Sequence, residues 1–154
     1  MRRSGFIVIL IVLLIAGLAA AGLTAVEEGV TVRSDSLEIQ EKTGNIRFQG
    51  GVEVRMGDMM LTCDLLVVHT DEADPSRIMS GEGSGNIVMI RGSDRVESQE
   101  AAFDLEAGIV ELSGGPRLIR EKTTIQADRI IYSLDKGTVS FHGPVRALFK
   151  AQED

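Results

Sequence analysis

The stretch DSLEIQEKTGNIRFQGGVEV, residues 35–54, is echoed near the end of the chain by DRIIYSLDKGTVSFHGPVRA, residues 128–147. Each phrase opens on Asp, meets a first Gly 9 residues on (Gly44, Gly137) and a second Gly 6 residues after that (Gly50, Gly143). Apolar residues fall at matching places between them: Leu37 and Ile39 against Ile130 and Tyr132, Ile46 and Phe48 against Val139 and Phe141, Val52 and Val54 against Val145 and Ala147. A third copy starts at Gln99 and places Ala101, Phe103, Gly108, Val110, Leu112 and Gly114 on the same spacing. A fourth starts at Asp64 with Leu66 and Val68, but reaches its second glycine, Gly85, after 21 residues instead of 15. Six residues are therefore inserted, around the polar, turn-rich run from Asp71 to Ser76. The starts at 35, 64, 99 and 128 are 29, 35 and 29 residues apart, and without the insert the step is 29 throughout. A fixed period of this length marks a chain built from repeated supersecondary units.

Inside each unit the period is two. Leu37 and Ile39 alternate with Glu38 and Gln40, and Ile130 and Tyr132 alternate with Ile131 and Ser133. Such alternation over short runs predicts half-buried β-strands. Glu41-Lys-Thr-Gly-Asn and Leu134-Asp-Lys-Gly-Thr read as hairpin turns, with glycine supplying the positive φ. Nothing after residue 26 shows a helical period, so the expected fold is all-β, with roughly twelve or more short antiparallel strands. Repeated units stack along an axis, which favours a folded-over sheet with open ends over a closed barrel. Its terminal strands are then unpaired edges: Thr31 and Val32 at the start, Val145, Ala147 and Phe149 at the end. An apolar edge invites another chain to add a strand, unless the tail from Lys150 to Asp154 covers it.

The first residues are an address. Met1-Arg2-Arg3 is followed by an uncharged run from Ser4 to Val26, with small residues at Ala19, Ala21 and Ala25. This is the layout of a secretory signal peptide over residues 1–25. The same run is also long enough to span a bilayer as an uncleaved anchor. Either way the β body, residues 30–149, is exported, ahead of a polar tail over 150–154. Its charge excludes a nucleic-acid partner: the chain of 154 residues has a net charge of −7, and loss of Arg2 and Arg3 leaves 14 basic against 23 acidic residues, or −9.

The residues for chemistry are missing. With one cysteine, Cys63, and two histidines, His69 and His142, in different units, neither a disulfide nor a Cys/His metal centre is expected. Cys63 reads as a small buried hydrophobe, and His142, next to Phe141 in the alternation, faces out. No Gly-x-Ser-x-Gly elbow occurs, and Gly81-Glu-Gly-Ser-Gly reads as a flexible bend in the inserted region. The recurring Asp35, Asp64 and Asp128 precede strands at equivalent places, which suits a hydrogen bond at a corner. The protein is expected to be no enzyme and to carry no cofactor.

Ser34-Asp-Ser-Leu-Glu-Ile, Phe48-Gln-Gly-Gly-Val-Glu-Val, Gly57-Asp-Met-Met-Leu-Thr-Cys-Asp-Leu-Leu-Val-Val, Ile125-Gln-Ala-Asp-Arg-Ile and Gly143-Pro-Val together resemble the OstA-like family of periplasmic lipopolysaccharide-transport proteins, over about residues 30–149. The resemblance implies an open, twisted β-jellyroll folded like a trough, whose interior shields the acyl chains of lipid A between inner and outer membranes. It also implies joining, edge strand to edge strand, to further copies and to inner-membrane LptC-type and outer-membrane LptD-type jellyroll partners. The inner-face residues that would then touch lipid are Leu37, Ile39, Ile46, Phe48, Val52, Val54, Leu66, Val68, Phe103, Leu112, Ile130, Tyr132, Val139 and Phe141. Medium aliphatic residues of this kind can leave a groove or fill it. Arg47, Arg55, Arg117 and Arg146 are candidates for phosphate contacts at the mouth. Two other readings stay open: a membrane-anchored docking subunit of the LptC type, and a structural β-repeat protein that holds no lipid.

Overall fold

Period-two alternation becomes twelve antiparallel strands in one sheet. The structure, a computed structural model, describes residues 29–150; the leader and residues 151–154 of the tail lie outside them. The strands are β1 (Val30–Arg33), β2 (Ser36–Gln40), β3 (Asn45–Met56), β4 (Met59–Thr70), β5 (Ile78–Arg91), β6 (Asp94–Asp104), β7 (Ile109–Ser113), β8 (Arg117–Arg120), β9 (Thr123–Gln126), β10 (Arg129–Ser133), β11 (Thr138–His142) and β12 (Arg146–Phe149). The expected hairpins are present, with Gly44 at φ 67° and Gly137 at φ 62° ending the β2–β3 and β10–β11 turns. The six inserted residues enlarge the β4–β5 turn, where the Asp71 and Asp74 carboxylates accept from the backbone N–H groups of Ala73 (2.8 Å) and Ser76 (3.1 Å).

The repeat phrase makes a crease. In the long strands the register slips at Gln49/Val52, Thr62/Leu65 and Ser84/Ile87, while β6 changes partner from β8 to β7 across Ser98 and Gln99. At each break the residue opening a repeat lies over the second glycine of that repeat. A Cβ on Gly50 would sit 2.7 Å from Asp35 Oδ2, one on Gly85 2.6 Å from Asp64 Oδ2, and one on Gly114 2.9 Å from the Gln99 Cβ; Asp128 covers Gly143 in the same way. All four glycines have positive φ. The Asp35 N–H donates to the Gly50 carbonyl (2.9 Å), the Gln99 N–H to that of Gly114 (3.3 Å) and the Asp128 N–H to that of His142 (3.1 Å). Asn86, at φ 49° beside Gly85, donates from Nδ2 to Asp64 Oδ2 (2.8 Å). The recurring aspartates are thus corner pieces, but Asp64 lies inside β4 and not before a strand, and among the described residues it is the only one of the three whose carboxylate makes the expected side-chain hydrogen bond.

The crease divides the sheet into two facing walls. β3, β4, β5 and β6 run through both, and each short strand serves one wall. The first wall adds β2, β7, β10 and β11; the second adds β1, β8, β9 and β12. The result is a trough with open ends, as the 29-residue step implied. One expectation holds only at its end: Gly81-Glu-Gly-Ser-Gly lies inside β5, and of its glycines only Gly85, at the crease, turns the chain. Gly81 and Gly83 are buried on the inner face, where the Phe103 ring occupies the place of a Gly81 side chain and Ile87 Cδ1 would lie 3.2 Å from a Gly83 Cβ. Glycine is there to make room for neighbours, which spacing along the chain could not reveal.

The crease sets a graded cost for alanine. Gly50 (φ 82°) and Gly57 (φ 58°) both have positive φ, but a Cβ on Gly57 meets nothing within 4 Å. Gly57→Ala is expected to cost about 1–2 kcal/mol from backbone conformation alone, and Gly50→Ala measurably more. Equal losses in urea unfolding would show that the Asp35–Gly50 contact does not constrain the fold.

Candidate functional site

The strand registers arrange the inner face as rungs across the trough. On the first wall one rung runs Leu37, Phe48, Leu66, Gly83, Ala101, Leu112, Ile130, Phe141, and the next, nearer the rim, Ile39, Ile46, Val68, Gly81, Phe103, Val110, Tyr132, Val139. Twelve of the expected inner-face residues lie on these two rungs. Val52 and Val54 lie on the second wall, where Val32, Val54, Leu61, Met89, Val96, Leu118, Ile125 and Ala147 form a matching rung. Leu61, Val96 and Leu118 have no place in the repeat phrase, and Met89 belongs to its fourth copy but not to the expected lipid-facing set. They alternate as cleanly as the rest, but most positions of the repeat phrase fall on the first wall.

Burial grades along the trough. Phe48, Val52, Val54, Leu66, Val68, Leu112, Ile130 and Tyr132 are buried, and Ile46 and Phe103 half-buried. Toward the ends, Ile39, Val139 and Phe141 are half-buried and Leu37 is 49% exposed. The walls pack on each other in the middle. Between them lies a cavity of about 20 Å³ lined by Val54, Met56, Met59, Leu61, Ala101, Phe103 and Val110, room for about one water molecule. A wider depression of about 380 Å³ lies along the crease, with Asn86, Ser98, Gln99, Gly114, Gly115 and Gln126 in its lining; its polar character suits no acyl chain.

A polar cluster interrupts the apolar interior. The rung nearest the rim of the second wall runs Val30, Met56, Met59, Arg91, Asp94, Arg120, Thr123, Phe149. Asp94 is only 6% exposed. Arg120 donates to both its carboxylate oxygens, from Nη2 to Oδ2 at 2.8 Å and from Nε to Oδ1. Tyr132, on the opposite wall, donates its hydroxyl to Oδ2 at 3.3 Å. Arg91, beside Asp94 on the rung, pairs with Asp58 (3.3 Å). The Arg120 hydrogen bonds hold the Asp94 carboxyl below the usual carboxylate range, against its burial. Burial first, and then the Asp94 charge, push the Tyr132 hydroxyl upward. The sequence did carry a signal here, since Asp94 is in phase with the inward-facing Val96.

The remaining candidates sit apart. Cys63 is buried, and burial pushes its thiol up to about 11. His69 bridges Asn45 (2.7 Å from Nδ1) and Glu82 (2.9 Å from Nε2), and His142 is exposed beside Ser140. Of the arginines considered for phosphate, Arg55 pairs with Glu53 (2.7 Å) and Arg117 with Glu97 (2.8 Å). Arg47 and Arg146 are exposed.

Among the described residues, β1, β2, β11 and β12 pair on one side only. The expected edge residues belong to β1 and to β12 with the residue preceding it: Thr31, Ala147 and Val145 are exposed, Val32 is half-buried, and Phe149 is 70% exposed. β2 and β11 are further edges, of the first wall, which local alternation does not reveal because it marks the face a residue takes and not the partners of its strand.

Asp94 makes stability depend on acid. Its folded pKa is depressed, so its contribution is complete above the unfolded value of about 4 and is lost as pH falls through the folded value. Asp94→Asn is expected to cost about 1–3 kcal/mol at pH 7, with the gap from wild type closing below pH of about 4. Urea unfolding at both pH values checks this, and a gap that does not change with pH contradicts it.

Comparison with known proteins places the fold. No curated protein sequence matches this chain. Among solved structures, LptH from Pseudomonas aeruginosa, described as the LptA homologous periplasmic component of the conserved lipopolysaccharide transport device, superposes with a TM-score of 0.68 at 17% identity, covering 81% of this chain and 97% of that one. A family model described as "LptA/(LptD N-terminal domain) LPS transport protein" matches residues 31–138. That span takes in most of the rungs, three of the four crease glycines and the whole of edge strand β2, and the chain therefore belongs to the LptA/LptD N-terminal-domain family of lipopolysaccharide-transport proteins.

Proposed function

We propose that this protein is a periplasmic lipopolysaccharide carrier that shields lipid A acyl chains between its two walls and hands them on toward the outer membrane. The observation that carries this reading is an apolar face running from one open end of the trough to the other, in a chain of this family. LptH, of the same fold, is a periplasmic component of such a device. Each buried methylene contributes about 0.8 kcal/mol, so several acyl chains supply ample affinity. Charge does not drive it, because a body at −9 repels an anionic lipid. The unpaired strands at both ends suit joining to further copies, and to LptC-type and LptD-type jellyroll partners, into a bridge. The leader, cleaved on export, would release the body to the periplasm.

A second reading has its own support: the uncharged run from Ser4 to Val26 suits a retained anchor, and with it a docking subunit of the LptC type. The closely packed middle of the trough suits a third, a β-repeat protein without lipid.

Native mass spectrometry of protein released gently from the periplasm separates these. Loss of the leader together with added mass of lipid A type supports the carrier. A full-length mass found only after detergent extraction supports the anchored subunit, and a processed chain without lipid supports the third reading. Phe141→Glu, a charge at the half-buried end of the inner face, is expected to lower lipopolysaccharide binding at least about tenfold. Glu53→Lys, on the outer face, should leave it intact. Equal binding by both variants would sink the carrier reading.

A further inference from the structure

We infer that the hydrogen bond from Tyr132 to Asp94, backed by Arg120, is a latch between the two rims of the trough, and that its release gates the entry of acyl chains. The gate rests on the carrier reading above. β6 pairs with β5, β7 and β8, and β10 with β7 and β11, so Asp94 and Tyr132 are not on neighbouring strands. They meet only because the crease folds one wall over the other. Among the described residues theirs is the one side-chain hydrogen bond that spans the interior. The other contacts between the walls are apolar packing, which is non-directional and lets surfaces part by degrees. A hydrogen bond has a steep angular and distance dependence, so it sets a discrete closed position.

Its place in the fold gives it leverage. Asp94 follows the β5–β6 turn at Gly92 and Ser93, and Tyr132 lies on the first-wall rung farther from the crease. Both are at the rim side, where a small rotation about the crease opens the widest gap. The cavity of about 20 Å³ lies alongside: Phe103 and Val110 precede Tyr132 on its rung, and Met59 stands two places before Asp94 on the facing one. Parting the latch would enlarge a space that already exists.

The charges are arranged so that opening strands none of them. Arg120 holds both oxygens of Asp94 from the same wall, and Arg91 is its cross-strand neighbour. When the walls separate, the carboxylate keeps its counter-ion on the second wall, and Tyr132 loses only a neutral donor's bond, which water replaces. The cluster is therefore suited to repeated opening and closing.

The test uses the full chain. Tyr132→Phe keeps the ring in the core and removes only the hydroxyl. Spin labels at Ser93→Cys and Lys136→Cys, on turns at the two rims, report the separation of the walls, and association of fluorescently labelled lipopolysaccharide reports entry. Tyr132→Phe is expected to lengthen or broaden the rim distance and to raise the association rate about tenfold, the effect of one charge-assisted hydrogen bond. Asp94→Asn, which weakens the same bond from the other wall, should move both readouts in the same direction. Unchanged distances and unchanged rates in both variants overturn the latch. A wider rim with binding by neither wild type nor variant overturns the carrier reading, and the gate that rests on it.

Discussion

Everything in this structure depends on a side chain lying across a glycine. Four times, the residue that opens a repeat (Asp35, Asp64, Gln99, Asp128) covers the second glycine of that repeat, at a point where the strand register slips or one strand gives way to the next. Positive φ at those glycines turns the backbone as few other residues can without strain. The space above them has no room for a Cβ. Each of the four lies where the first wall passes into the second, so they add up to one crease instead of four unrelated kinks.

The crease makes the apolar interior possible. Each wall alone is a sheet with one apolar face, which cannot stay in water. Folding one wall over the other buries both faces with a single long line of bending, and it leaves the ends unpaired. A barrel of similar strands would have no edges. Here the edges persist, and β12 leaves Leu148 and Phe149 largely exposed. Open ends and an apolar lining both follow from bending without closure.

Against that apolar background, the Asp94 cluster stands out as a specified contact. Buried charge is costly unless paired, and Asp94 is paired twice within its wall's reach and once across the trough. The glycines at 81 and 83 mark the opposite kind of specification, positions kept empty so that the Phe103 ring can lie over Gly81 and the Ile87 side chain close to Gly83. Together they give the interior its own geography: thin at the centre of the first wall, tied at the rim, loosest at the ends.

Local pattern was enough to find the repeats, the strands, the hairpins and the first-wall lining, because each is written in residues close together along the chain. Leu37 and Ile39 must share a face, and Gly44 must turn, whatever lies beyond them. The corner role of the aspartates was legible for the same reason, and so was the resemblance to the family that the chain proves to belong to. What the residues could not disclose is which groups meet across the trough. Asp94 and Tyr132 are 38 residues apart on strands that never pair, and the glycine-rich run in β5 looks like a bend until Phe103 is seen lying on it. Those contacts depend on the angle at which two walls close. That angle is the summed result of register slips in several strands, and only the assembled sheet decides it.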